Sequence, residues 1–590
     1  MDNNDRQGIT GVAFRHFAWV LLLTHTSLLI VVTWSYAPLW DETLRIRAGL
    51  DHWEYGDFSR NIGNPPLNDL VAAAPIILLA NSANRDDFRQ ASWNPEDLIY
   101  FIRVGRLALI PFSVLGGWVT FLWARDLFGR AAGLFVLVLW CFDPMILAHG
   151  ALITGDMAAT SVGVAAMYAF RSWLNAPRMS AAVAGGFLVG IALLVKYVWV
   201  VLPLLCFTLC FLQQAFLFRT GCTKVLRQAA AMGVTTLFVV NAGFLFDQSF
   251  QQASTFEFRS NALMKLAPWQ DENSSNIVGN WIGEIPVPLP RHYVMGVDAI
   301  ASVVQFTHTR TYIRGRFVDD NVWYYYVYGL LCKIPLGTWA LFIIAVYAWL
   351  TTSRVARATQ ESLMLLLPAL AVLLLASSAT SDKFLRYVLP IFPFLFIWAG
   401  RVTVWAHNGR WIRSAVVAGG LVWSVGSSLL IFPYSLSYFN EAVGGSRNGH
   451  AHLLGPSYDY GQDFLFLRDW IDAHPEAQPL YVECGNYLKP MVVGIQAADI
   501  PKFGPDPGWY ALSANVLRGS LWRQSWWHEA KRDEYEYVEQ FLNRPSNACA
   551  GYSIRIYYLS CQQANAMRAM LGIDAIECDK VDSAESSRLR

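Results

Sequence analysis

The sequence predicts a polytopic α-helical membrane protein with a C-terminal soluble α/β domain. Three observations carry that prediction. The 590 residues are 54% hydrophobic and only 15% charged, against about 25% charged in an ordinary soluble domain, and mean hydropathy is +0.32. Apolar runs approaching the roughly 20 residues that cross a bilayer as a helix recur up to residue 432. Residues 433–590 contain no such run and are richer in polar residues. A net charge of +1 gives no sign of a nucleic-acid surface, and 24 Trp with 25 Tyr suit wide membrane–water interfaces.

Eleven spans are expected, at 17–36, 105–123, 132–150, 157–174, 181–195, 198–218, 228–246, 334–350, 362–379, 385–402 and 413–432. The first is long for a signal sequence and lacks a small-residue cleavage site, so it reads as a retained span. Only Lys196 and Tyr197 separate the fifth and sixth. Residues 68–80 are apolar but too short to cross, and are expected to lie along the interface. Arg125, Arg130, Arg171, Arg178, Arg219, Lys224, Arg227, Arg354, Arg357, Arg401, Arg410 and Arg413 all fall in alternate loops. Cytoplasmic loops are enriched in such residues, so that side, with the N-terminus, is expected to be cytoplasmic. Loops 37–104 and 247–333 and the C-terminal domain then face outside.

The outer side holds the candidate chemistry. Asp41 and Glu42 end the first apolar run, followed by an amphipathic stretch to Tyr55, a Gly56-Asp57 turn and Asn64-Pro65-Pro66-Leu67. Asp156 opens the span 157–174, where a carboxylate also serves as an ordinary helix cap. Lys196, Lys333, Lys383 and Arg386 place cations at outer span ends. One such residue snorkels to the interface; several, beside two carboxylate sites, point to a bound anion such as a lipid phosphate. The 247–333 loop contains IPVPLPRHYVMG (285–296), whose prolines oppose a regular helix, and the aromatic run Trp323 to Tyr326. It reads as an interfacial cap.

Beyond 432, Asn440, Glu441, Asp459, Gln462 and Asp463 gather polar groups just outside the last span, to line an entry or to join the two domains. Helices are expected over 463–473, 532–542 and 562–571, and strands over 479–484 and 552–559. His450 and His452 beside Glu441 are a weak candidate metal site. Cys484, Cys549, Cys561 and Cys578 allow three pairings that the sequence does not choose among.

In order, these landmarks are Asp41-Glu42, Asn64-Pro65-Pro66-Leu67, Asp156 in ITGDMAAT, and Tyr324 to Tyr326 before Lys333-Ile334-Pro335-Leu336. Arg386-Tyr387-Val388-Leu389-Pro390 and the segment 438–470 follow. The chain thus resembles glycosyltransferase family 39 of the GT-C fold, the protein O-mannosyltransferase and aminoarabinose-transferase relatives. That resemblance implies a transmembrane glycosyltransferase domain over 1–432 and a bacterial inner-membrane location with a periplasmic C-terminal domain, 433–590. It implies inverting transfer of a sugar from a polyprenyl-phosphate donor to a protein, lipid or polymer acceptor. Asp41 matches the base, with Glu42 and Asp156 orienting acceptor or sugar hydroxyls. Lys196, Lys333 and Arg386 are the candidates for the donor phosphate. Asn64, Pro65, Pro66, Tyr324, Asn440, Glu441, Asp459 and Gln462 are expected along the substrate loops. Some relatives carry Lys or His where this chain has Asn64, which shifts the phosphate load to Lys196 or Arg386. A monophosphate donor is served by basic side chains, so no metal or other cofactor is expected to be required. The competing classes are a transporter, which needs ionisable groups at broken helices near mid-membrane, and a non-catalytic scaffold.

Overall fold

The computed structural model describes residues 11–217, 222–267, 270, 281–307, 309–319, 321–351, 356–407, 411–485, 488–520 and 532–578. Arg219, Arg354 and Arg410 lie outside the described residues. Among the described residues six helices are long and apolar enough to cross a membrane: Ala13–Ser35, Pro95–Phe128, Thr223–Gly243, Glu361–Ser378, Leu385–His407 and Trp411–Leu429. A seventh is obtained if Tyr325–Lys333 and Leu336–Thr351, bent by 111° at their junction, count as one span.

The difference from eleven has local causes. The run 132–150 divides into helices Arg130–Phe142 and Pro144–His149. Pro144 has no N–H to continue the first helix, and the Asp143 carboxylate accepts from the Met145 and Ile146 amides to start the second. The run 157–174 is one helix, Asp156–Asn175, but Asp156, Thr160, Ser161 and Arg171 make it polar for a span. The run 181–195 is the 17-residue helix Met179–Val195. The run 198–218 opens with a 3-10 turn, Tyr197–Val201, before helix Leu202–Leu217.

Two close helix contacts stand out. Helix Trp40–Tyr55 ends at Gly56, whose φ of +63° suits glycine. It lies against helix Leu67–Leu79 so closely that a Cβ on Gly49 would stand 2.1 Å from the Asp69 carbonyl oxygen. Helices Met179–Val195 and Cys222–Gly243 run side by side in the same direction, with Gly186 against the Met232 backbone and Gly190 against Val239.

In the 247–333 segment, the expected break at the prolines ends earlier than predicted. Pro290 is itself the N-cap of helix Arg291–Phe306, since a proline opposes only the turn before it. A hairpin of β1 (Thr311–Ile313) and β2 (Arg316–Val318) follows, turning through Arg314 and Gly315.

Near the C-terminus, β3 (Leu480–Glu483), β4 (Gly508–Ser513), β5 (Ala548–Ala550) and β6 (Ile554–Leu559) form a sheet of order β3-β4-β6-β5. β3 pairs parallel with β4, and the other pairings are antiparallel. Helices Phe464–Ala473 and Cys561–Met570 match the expected positions, while most of 532–542 is 3-10. Leu480, Val482, Ile554 and Ile556 share a core with Phe464 and Leu467, and with Ala37 and Ile99 from the helical part. Phe439, Leu453 and Tyr458 pack into the core of the apolar helices. Cys561 and Cys578 are disulfide-bonded, while Cys484 and Cys549 are free.

Candidate functional site

Four of the charged residues converge. Asp41 lies in the first turn of helix Trp40–Tyr55 and Asp156 in the first turn of Asp156–Asn175. Lys196 is the extended residue that ends Met179–Val195, and Arg386 sits in the 3-10 segment Leu385–Ile391. Arg386 Nη2 donates to Asp41 Oδ2 at 2.8 Å, and its Nε faces Asp156 Oδ2 at 3.7 Å. Lys196 Nζ donates to Asp156 Oδ1. The result is a row in which cations and carboxylates alternate: Asp41, Arg386, Asp156, Lys196. Asp156 therefore does not serve as a side-chain cap; the N-cap is Gly155, with φ +76°.

Tyrosines enclose the row. The Tyr460 hydroxyl donates to Asp41 Oδ2 and accepts from Arg386. The Arg386 guanidinium lies 4.8 Å from the Tyr460 ring centroid, and Lys196 Nζ lies 5.1 Å from that of Tyr387. Asp41 is 35% exposed at its side chain, whereas Arg386 is 6% and Asp156 1% exposed. Burial opposes ionisation of Asp41, but Arg386 and the Tyr460 hydroxyl outweigh it and hold the carboxyl below its ordinary range.

Asp41, Arg386 and Tyr460 form part of the wall of a cavity of about 820 Å³, with Lys383, Asp459 and Asn515 further round. Asp156 and Lys196 stand behind Arg386, off that wall. Among the described residues Asp156 Oδ2 and Arg386 Nε have no hydrogen-bond partner, nor has Nδ1 of His149, which lies buried within electrostatic reach of Asp156, Arg386 and Lys196. Buried polar atoms are ordinarily paired, so the row has bonding capacity in reserve. A partly exposed carboxylate beside a buried guanidinium can take a proton while an anion is held alongside it.

Other expected site residues go elsewhere. Glu42 is fully buried and turned from Asp41. Its carboxylate takes Arg106 Nε at 2.8 Å and Nη2 at 2.6 Å, with the Leu39 amide at 2.9 Å and the Ile153 amide at 3.2 Å. Lys333 donates to the carbonyls of Leu436 and Ser457, each at 2.6 Å, and does not line the cavity. Asn64 accepts from Arg45 at 2.6 Å, and Pro66 caps helix Leu67–Leu79 beside the buried Pro65. Tyr324 caps helix Tyr325–Lys333, and Tyr325 lines the cavity in its place.

Asn440 donates to the carbonyls of Leu331 and Ile334, fastening the 111° bend. Glu441 accepts from Ser427 at 2.5 Å. Gln462 accepts from the Tyr460 amide at 2.7 Å and so fixes the Tyr460 loop. Asp459 lines the cavity; burial pushes its carboxyl up to about 7. His450 is flanked by Arg518 and Arg555, which disfavours a metal ion there, and His452 meets Tyr328 at 2.5 Å. Among the described residues no three His, Cys, Asp or Glu side chains gather as a metal site.

Sequence reasoning missed Tyr460, His149 and Arg45. Arg45 falls four residues after Asp41, on the same helix face, and bonds Asp69 Oδ1 at 2.9 Å. Its guanidinium approaches Gly155, where a Cβ would lie 3.5 Å away. That spacing was a readable signal; Tyr460, two residues from Gln462, looked like one aromatic among many.

No family model matches the chain, and no curated protein matches it in sequence. Among solved structures it is similar to ArnT from Cupriavidus metallidurans, described once bound to undecaprenyl phosphate and once in the apo state. Identity is 14% to each, over 92% of this chain and 97% of that one, with TM-scores of 0.44 and 0.45.

Proposed function

We propose that this chain is a membrane glycosyltransferase of the GT-C type, moving a sugar from a polyprenyl-phosphate donor to an acceptor hydroxyl or phosphate at the outer face of the membrane. One observation carries the reading: Arg386 is shared between two carboxylates at the wall of a large cavity, with Lys196 behind it. The acceptor oxygen attacks the anomeric carbon in a single displacement, which inverts the configuration. The bond from that carbon to the phosphate oxygen breaks, and its electron pair leaves with the phosphate. Arg386 and Lys196 stabilise that charge. Asp41 takes the acceptor proton.

The depressed basicity of Asp41 fits this scheme. A donor phosphate competes with Asp41 for Arg386, and once Arg386 turns to it the carboxylate regains its ordinary affinity for a proton. Asp156 keeps Lys196 and Arg386 in place, and Glu42 supports the fold around Asp41 instead of touching substrate.

The test is transfer from a panel of radiolabelled polyprenyl-phosphate sugars by the full-length protein in proteoliposomes. Wild type is expected to transfer one of them, and Asp41→Asn to lose about 100-fold or more of that rate. Equal transfer by the variant removes Asp41 as the base. A transport reading draws on Lys196, Lys333 and Arg386 lying where helices break. Movement of labelled solute across the bilayer, without cleavage of any donor, supports it against ours.

A further inference from the structure

At the end of the helix pair Met179–Val195 and Cys222–Gly243 remote from Lys196 lies a second cavity, of about 630 Å³. Arg178, Lys224 and Arg227 line it, with Met179 and Gln228. The first helix is 17 residues long, so at 1.5 Å per residue this cavity is about 25 Å from Lys196. An apolar groove of about 1020 Å³ adjoins it at Met179 and runs up the pair. Val183 and Phe187 on one helix and Phe238 on the other flank the groove and are exposed.

Some basic residues expected on that side are already paired with carboxylates. Arg171 is taken by Glu361 at 2.8 and 2.9 Å, and Arg125 by Asp126 at 2.9 Å. Among the described residues Arg178, Lys224 and Arg227 have no carboxylate partner. Three cations lining one cavity favour an anion there. The adjoining groove is apolar, so the anion that fits carries a hydrocarbon chain. The proposed sugar donor needs its phosphate beside Arg386, about 25 Å away, which leaves this cleft to another lipid.

We infer that the cleft between these two helices binds one anionic phospholipid, its phosphate among Arg178, Lys224 and Arg227 and an acyl chain along Phe187 and Phe238. A zwitterionic lipid brings its own ammonium to the same three cations and binds more weakly. Bulk lipid covers any apolar helix face; the concave groove adjoining a basic pocket makes this site selective.

The test is native mass spectrometry of the delipidated full-length protein in detergent. It is titrated separately with phosphatidylglycerol, phosphatidylcholine, polyprenyl phosphate and inorganic phosphate. Wild type is expected to take up one phosphatidylglycerol at concentrations at least tenfold below those for phosphatidylcholine. A variant combining Arg178→Gln, Lys224→Gln and Arg227→Gln should lose about 100-fold in phosphatidylglycerol affinity and keep its phosphatidylcholine affinity. These side chains are exposed, so folding should survive, and unchanged melting temperature verifies it. Val183→Trp, which fills the groove and leaves the charges, should weaken phosphatidylglycerol as well. Equal binding of the two phospholipids, or an unaltered triple variant, overturns the inference. So does inorganic phosphate binding as tightly as the lipid, because the groove then has no part. Polyprenyl phosphate binding more tightly than phosphatidylglycerol, with the same dependence on the three cations, assigns the cleft to the donor and overturns it too.

Discussion

Arg386→Lys separates the proposed chemistry from simple structural pairing. The guanidinium reaches Asp41 through Nη2 at 2.8 Å and faces Asp156 through Nε at 3.7 Å. A lysine ammonium is a single point of charge and cannot span both. The stability cost is limited on each side. Asp41 is 35% exposed, so solvent screens it and loss of its partner costs about 1 kcal/mol. Asp156 is buried but keeps Lys196. The rate cost is larger, because a directed donor to a leaving group's developing charge is worth about 3 kcal/mol, or roughly 100-fold. The expected result is a transfer rate down about 100-fold with a melting temperature lower by only a few degrees. The assay is kcat and KM for the polyprenyl-phosphate sugar in proteoliposomes, with thermal unfolding of the same preparation in detergent. A variant that is folded and transfers within threefold of wild type would falsify the assignment of Arg386 to the phosphate.

Two other perturbations test the structure around the row. Glu42→Ala leaves Arg106 buried without its carboxylate; the expected cost is about 3–5 kcal/mol, read as a large drop in melting temperature or in folded yield. Turnover per folded molecule should change far less than for Asp41→Asn, and equal losses by both would return Glu42 to the chemistry. His450 is held down to about 3 by burial, with Arg555 and Arg518 adding to it, against an ordinary 6.5. The unfolded chain therefore binds the extra proton first. His450 contributes its stability above about pH 6.5 and loses it as pH falls from there toward 3. The melting-temperature advantage of wild type over His450→Gln should shrink between pH 7 and pH 5; parallel curves across that range count against the burial argument.

What could be read from the sequence was which residues are costly to place at a membrane boundary, and roughly where apolar runs end. Asp41, Asp156, Lys196 and Arg386 all came from that criterion, and they meet although 345 residues separate Asp41 from Arg386. The criterion has no angular information. Lys333 has the same sequence context as Lys196, at the end of an apolar helix, yet it turns to the carbonyls of Leu436 and Ser457. Glu42 follows Asp41 directly, but adjacent helical side chains point about 100° apart, which sends one to the cavity and the other to Arg106. Strand β4, GWYALS, escaped notice because it alternates too little and is buried throughout much of its length.

The count of six or seven long apolar helices differs from the eleven expected spans for a related reason. Hydropathy measures how apolar a run is, and a helix shielded by other helices need not be apolar all round. Asp156–Asn175 shows both effects. Its side chains are largely buried in protein, so Thr160 can bond back to the Asp156 carbonyl at 2.7 Å and Ser161 can pack beside Gly116. The same shielding lets the helix start on a carboxylate that needs two cations from elsewhere in the chain. Had Asp156 served only as a helix cap, it would have turned to the amides of its own first turn, as Asp143 does at Met145 and Ile146. It turns to Lys196 and toward Arg386 instead, and that choice, invisible in ITGDMAAT, joins the ends of three helical segments into one site.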